Sequence, residues 1–347
     1  MRVKPPSRRL CLASPLSGVA GPASFQRRLA AGLEARGHAV NYGLDEDGYQ
    51  AVLVIGGSRN LTGLARARRR GIPIVQRLDG MNWIHRRRST GIRHYLRAEV
   101  NNLLLRWVRT RLAQTVVYQS DFVKGWWEEA CGAAPGTSVV IRNGVPLDTF
   151  TPNGTSERMR DGTRLLVVEG AIGGGYEIGL TWAAQLATAL SALDGARRPI
   201  HLTIIGKRRT GPIDLPTSDQ VEVRWLGEVP AESVPAQLRS ADLLFSADLH
   251  PACPNSVIEA LACGLPVVAF DTGAIREIVD ATCGAVVPYG GDPWRLEPPD
   301  IEALGRAART VLDRQPSYRK GARRRAESAF GLERMIDAYL DVLGWGS

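Results

Sequence analysis

DLHPACPNSVIEALACGLPVVAFDTGAIREIVD, residues 248–280, decides the reading of this chain. It runs loop, short helix, strand and turn. Pro254 and Asn255 end the loop, and Ser256 is placed to cap a helix. Gly264 suits the left-handed position beyond the helix end, and Pro266 prevents continuation. The amino end of such a helix offers backbone N–H groups and a partial positive charge, which suit a phosphate. Ser256-x-x-Glu259 also reads as a capping box, with Glu259 reaching back to the cap N–H. A glutamate one turn into the helix can equally accept two ribose hydroxyls, through charge-assisted bonds of about 1.5–3 kcal/mol each. Both readings stand at this stage.

Working outward, short β-branched runs alternate with helical stretches: 10–14, 51–55, 72–76, 115–119 and 138–141. After the turn-rich 151–162 the pattern restarts at 164–168, 201–205, 221–225, 242–245, 267–270 and 285–287. This alternation predicts βαβ units and parallel sheets. A length of 347 residues suits two domains. The expected division is an N-terminal Rossmann-like domain over 1–152, a C-terminal one over 163–325, and a final helix over 326–347 that can return to the N-terminal domain. In open α/β sheets ligands bind beyond the carboxyl ends of the strands, so the loops there are where chemistry is expected.

Composition narrows the partners. No apolar run reaches the roughly 20 residues of a membrane span, and Met1 to Ser14 does not read as a signal peptide. Five cysteines, odd in number and without C-x-x-C spacing, argue against a disulfide framework or zinc site and fit a reducing, cytoplasmic compartment. The net charge of +9 gathers at Arg66, Arg68 to Arg70, Arg86 to Arg88, Arg93 and Arg97, which attract phosphates of any origin. No aromatic-interleaved RNA motif or helix-turn-helix accompanies them, so nucleic acid is not an expected partner. From Arg93 to Leu112 arginines interleave with Leu103, Leu104, Leu105, Trp107 and Val108. That pattern suits either a helix packed on a core with solvated arginines or one resting on an anionic membrane.

Asn255 to Pro266, followed by Gly273-x-x-x-Glu277-Ile-Val, resembles the donor-site signature of family 4 glycosyltransferases. Ser17-Gly18-Val19-Ala20-Gly21, Arg142 to Pro152 and Leu226-Gly227 stand in the order that the family has them. The resemblance implies a GT-B fold, in which two Rossmann-like domains face a central cleft. It also implies a nucleotide diphosphate sugar as co-substrate with no cofactor or obligatory metal, a hydroxyl acceptor, and transfer with retained anomeric configuration. A polysaccharide-building or lipid-linked acceptor fits a cytoplasmic, membrane-peripheral enzyme.

Carried over residue by residue, the family's ribose-binding glutamate is Glu259, and the backbone of Asn255, Ser256 and Val257 is left for sugar hydroxyls and phosphate. The glutamate that should precede Glu259 by eight positions is Pro251. The Arg and Lys that the family brings to the diphosphate are absent from the loop Glu169 to Gly179, where Gly173, Gly174 and Gly175 can instead bring bare N–H groups to a phosphate. Lys207 and Arg208, read as following the next strand, are candidates for the missing charge. Gly18 and Gly21 open the first helix and permit close approach of donor or acceptor. Asp79 stands nearest the family's catalytic histidine, where a carboxylate can stabilise an oxocarbenium-like transition state or take the acceptor's proton. Two other functions share this architecture: a non-catalytic nucleotide-sugar-binding subunit, motivated by Pro251, and a nucleotide-sugar 2-epimerase.

Overall fold

The computed structural model describes residues 7–346 except 17, 19, 20, 158–160, 196, 197, 210, 212, 216 and 217. The chain forms two compact units. Unit 1 comprises Met1–Asn82, Ile92–Gly144 and Leu332–Ser347, and unit 2 comprises Trp83–Gly91 and Val145–Gly331.

In unit 1, β1 (Arg9–Leu12), α1 (Gly21–Ala35), β2 (Ala39–Asn41), β3 (Ala51–Ile55) and α2 (Leu61–Arg69) are followed by β4 (Ile74–Leu78), α3 (Ile92–Arg111), β5 (Thr115–Tyr118), α4 (Asp121–Cys131) and β6 (Thr137–Val140). The strands form one parallel sheet in the order β2-β1-β3-β4-β5-β6. β3 and β4 carry continuous apolar or buried runs because helices cover both faces of a parallel sheet. Asn60 caps α2 through Gly63 N at 2.9 Å, and Ser120 caps α4 through Val123 N at 3.2 Å, each satisfying a first-turn donor. The short strand β2 has no alternation to announce it.

In unit 2 the order is β7 (Thr163–Ile172), α5 (Ile178–Leu193), β8 (Ile200–Arg208), β9 (Val221–Gly227), α6 (Val234–Ser240), β10 (Leu243–Phe245), α7 (Asn255–Ala262), β11 (Val267–Phe270), α8 (Ile275–Ile278), β12 (Gly284–Val287), α9 (Ile301–Asp313) and α10 (Gln315–Ala329). Its sheet is parallel, ordered β12-β11-β10-β7-β8-β9. β7 and β8 outrun their expected ends: after a register shift between Val168 and Ala171 they pair again at Ala171↔Lys207 and Ile172↔Arg208.

The chain enters unit 2 at Val145, ahead of the boundary read at 152. Val145 N donates to Phe330 O at 2.8 Å, and Arg323 donates to the carbonyls of Leu147 and Phe150 at 3.1 and 2.8 Å. These bonds tie 145–150 to α10. At the other end, α11 (Leu332–Val342) packs on α1 in unit 1. Ile336 occupies the space a side chain at Gly32 would need, and the Phe25 and Tyr339 rings lie 5.3 Å apart.

Candidate functional site

A parallel sheet opens a crevice where consecutive connections leave in opposite directions. In unit 2 the chain steps from β7 outward to β8 and β9, then returns to β10 on the other side of β7. The loops after β7 and β10 therefore flank the switch point. They are the glycine-rich 173–175 loop and the 246–254 loop leading into α7.

The backbone of the first loop explains its composition. Gly173, Gly174 and Gly175 have φ of 155°, 67° and 104°, conformations that L side chains disfavour. Gly175 N donates to Glu177 Oε2 at 2.9 Å, while Gly175 O accepts from Arg88 Nη1 at 2.9 Å. Arg88 also lies 3.6 Å from Glu177 Oε1. Ile84 packs beside Gly175, where an added Cβ would be 3.2 Å from Ile84 Cγ1. The stretch Trp83–Gly91 thus brings a guanidinium to a loop that supplies no cation of its own.

Across the switch point, α7 begins at Asn255 with Pro254 as its N-cap and no side-chain cap bond. This overturns Ser256 as the cap and with it the capping box. Ser256 lies inside the first turn, and the side chain of half-buried Glu259 is one turn in. The first-turn N–H groups of Asn255, Ser256 and Val257 point out of the helix's amino end. The other end is as expected: Gly264 has φ 69°, its N–H bonds Leu261 O at 2.9 Å, and Leu265 N bonds Ala260 O at 2.8 Å, a left-handed helix stop.

The loop ahead of α7 is held in an unusual conformation. His250 has φ 53°, rare outside glycine. Its ring stacks on Trp294 at 3.6 Å and 12°, and meets the edge of Trp83 at 5.1 Å. Burial pushes the imidazole down to about 4, so it is neutral near pH 7. Gly273 closes against this loop with φ 57°; a Cβ there would sit 2.5 Å from His250 C and Pro251 N. Ala274 N donates to Pro251 O at 2.9 Å. Pro251 is therefore built into a rigid corner, and the family's carboxylate has no counterpart at that position.

Two other carboxyls stand nearby. Glu169 ends the first stretch of β7, and Asp248 lies three residues past β10, whose register with β7 runs Leu244↔Leu166. Desolvation raises both carboxyls, and the charge of Asp248 raises Glu169 further. The Tyr176 hydroxyl is raised by burial and by Asp248.

Lys207 and Arg208 are not in a loop. Both are strand residues of β8, with Lys207 3.5 Å from Glu228 and Arg208 over the Trp225 ring at 5.3 Å. Their expected place in a loop after the strand is corrected on that ground: they extend β8, which lies on the side of β7 away from β10.

In unit 1 the switch falls between β1 and β3. Gly18, with φ 94°, holds its carbonyl 2.7 Å from Arg27 Nη1, and Gly21 is the first residue of α1. Ser17, Val19 and Ala20 of that loop lie outside the described residues. Asp79 follows β4 and is no simple turn residue. Its carboxylate accepts from Arg77 Nη1 at 2.9 Å and from Gln119, and its carbonyl accepts from Trp127 Nε1 at 2.8 Å. Buried Arg77 in turn donates to Asn143 at 2.8 Å and stacks over Phe25 at 3.9 Å. The Asp79 side chain remains 40% exposed, enough to reach a ligand. Beyond β3, a cavity of about 280 Å³ is lined by Gly57, Ser58, Arg59, Asn82, Asn101, Leu104 and Leu105.

Gly18, Gly21 and Asp79 thus fall in unit 1, and Gly173 and Gly174 on one side and Asn255, Ser256, Val257 and Glu259 on the other follow the two strands that flank the switch point of unit 2. Arg88 and Glu169 were not among the expected site residues. Arg88 was hidden in a run of like charges, and Glu169 in a loop read for its glycines.

Two parallel six-stranded sheets with loops of this kind at their switch points define a two-domain α/β protein of the GT-B class. A sucrose-phosphate synthase from Thermosynechococcus elongatus shares this fold with a TM-score of 0.70 at 14% identity, over 96% of this chain and 98% of that one. Anabaena Alr3699/HepE, solved in complex with UDP and glucose, matches with a TM-score of 0.65 at 15% identity over 97% and 99%. Residues 164–314 match the family described as Glycosyl transferases group 1, in agreement with the resemblance drawn from the sequence. A GDP-mannose-dependent alpha-(1-6)-phosphatidylinositol dimannoside mannosyltransferase of Mycobacterium tuberculosis is 28% identical over 66% of this chain and 57% of its own length. The chain therefore spans little more than half of that relative.

Proposed function

We propose that this protein transfers a sugar from a nucleotide diphosphate sugar to a hydroxyl acceptor, with retention and without a metal or other cofactor, on the cytoplasmic side of the membrane. The observation that carries the reading is the convergence at the β7/β10 switch point of the glycine-rich loop and the amino end of α7. Both are backbone anion sites. Glu259 takes the ribose hydroxyls from its place one turn into α7. The diphosphate lies against Gly173 to Gly175, and Arg88, turning from Glu177, neutralises charge on the leaving group. That electrostatic stabilisation lowers the barrier as the sugar–oxygen bond breaks. In unit 1, Asp79 is a carboxylate open to a hydroxyl acceptor, and Ser58, Asn82 and Asn101 offer hydroxyl-binding groups in the cavity beyond β3. A relative whose name includes GDP-mannose and a structure holding UDP support a nucleotide-sugar donor.

A non-catalytic nucleotide-sugar-binding subunit is the second reading, favoured by the rigid corner at Pro251. A thermal-shift panel of UDP, GDP, ADP and dTDP tests binding; no shift with any of them sinks both readings. Incubating the stabilising nucleotide's sugars with a panel of hydroxyl acceptors then separates them. Transfer with retained configuration is expected, and binding without transfer supports the subunit.

A further inference from the structure

The outer face of α3 is apolar where a water-facing helix should be polar. Ile92, Leu96, Val100, Leu103 and Trp107 recur every third or fourth residue and are 71%, 57%, 51%, 66% and 38% exposed. At about 100° per residue these positions form one continuous stripe along the helix. The opposite side carries the helix's packing: Ala98, Val108 and Arg109 are buried, and Arg109 is bonded to Tyr118 at 2.9 Å. The stripe is thus not the face that holds α3 to its sheet. Arg93, Arg97 and Arg111 border it on one side and Arg106 on the other, all exposed. The single carboxylate of the helix is Glu99.

An exposed apolar stripe of this length with guanidinium borders has a specific partner chemistry. Aliphatic and indole side chains enter the acyl boundary of a bilayer, while arginines at the level of the headgroups meet lipid phosphates. A second copy of the chain would bring the same arginines together and repel. Among the described residues no helix is long and apolar enough to cross a membrane, so the contact is with the surface.

We propose that α3 is a docking surface for an anionic lipid bilayer, lying in the interface plane with Ile92, Leu96, Val100, Leu103 and Trp107 inserted. This is independent of whether the protein transfers a sugar. The test is sedimentation of the full chain with vesicles of phosphatidylglycerol and phosphatidylcholine, against vesicles of phosphatidylcholine alone. Binding is expected to the anionic vesicles and to weaken with salt. The double variant Leu96→Glu/Leu103→Glu, altering two exposed side chains, is expected to lower the partition coefficient on the order of tenfold or more with an unchanged melting temperature. Brominated lipid should quench the wild type's tryptophan fluorescence, and Trp107→Phe should remove that quenching. Wild-type protein remaining in the supernatant, or the variant partitioning like the wild type, overturns the proposal. So does a wild-type dimer that the same variant converts to monomer, which would assign the stripe to a second copy.

Discussion

Arg88 illustrates how a single side chain changes the electrostatics of a site. With Glu177 it brackets the Gly175 peptide, so Arg88→Ala should raise the nucleotide's Kd on the order of tenfold, whereas Lys207→Ala should leave it within twofold or so. Isothermal titration with the nucleotide that passes the thermal-shift panel checks both. Glu259→Ala should weaken the same nucleotide by a similar factor, and unchanged affinity would remove Glu259 from the ribose. Gly273→Ala forces a Cβ to 2.5 Å from two backbone atoms at φ 57°, a strain of about 1–3 kcal/mol that urea denaturation will register. The carboxyls give a pH signature. Glu169 and Asp248 are raised in the fold, so their contribution is fully favourable below the unfolded carboxyl range near pH 4 and is lost as pH rises through the folded values. Glu169→Gln should therefore gain stability over the wild type as pH is raised. His250 acts in the opposite sense: lowered to about 4, it contributes above the unfolded value and loses that contribution as pH falls, so the variant's difference from wild type, rather than the raw curve, isolates Glu169.

At the level of elements, α11 completes the core of unit 1. Ile336 is fully buried against Gly32, beside Phe25 and Tyr339, and Ile336→Ala should cost about 2–5 kcal/mol, read as a lowered denaturation midpoint. Much of this layer was legible beforehand. The apolar runs that became β3, β5 and β11 were bounded within a residue, since a buried parallel strand has a continuous apolar sequence that turn residues interrupt. The end of α7 was legible at Gly264, because few residues other than glycine accept its φ. Its start was not. Ser256 has the chemistry of a cap, but Pro254 fixes the backbone earlier and the helix begins ahead of the serine. β8 was read too short because Lys207 and Arg208 look like a solvated turn, while a register shift in β7 lets the ladder resume opposite them. Arg88 could not be found in sequence at all, since only folding separates it from Arg86 and Arg87. For α3 the pattern admitted two faces, and burial of Ala98, Val108 and Arg109 chose the inner one.

Across the whole molecule, a donor bound at the β7/β10 switch point should protect selected regions. In hydrogen exchange, nucleotide is expected to slow amides of 173–177 and 255–259, while the strands of unit 1 exchange as before. Protection absent from both loops would place the nucleotide elsewhere. Binding at a hundredfold excess over Kd adds about 2.7 kcal/mol to stability, so the thermal shift and the exchange should be seen at the same concentrations.

Trp83–Gly91 belongs to unit 2 although the chain on both sides of it belongs to unit 1. No single cut in the gene separates the two units. A fragment beginning at Val145 would keep every strand of its sheet, yet it would lack the indole beside His250, the Ile84 side chain under Gly175 and the guanidinium at the glycine-rich loop. Such a fragment could fold and still misrepresent the site. Any experiment that swaps one half of this chain onto another must carry nine residues from the far side of the exchange point.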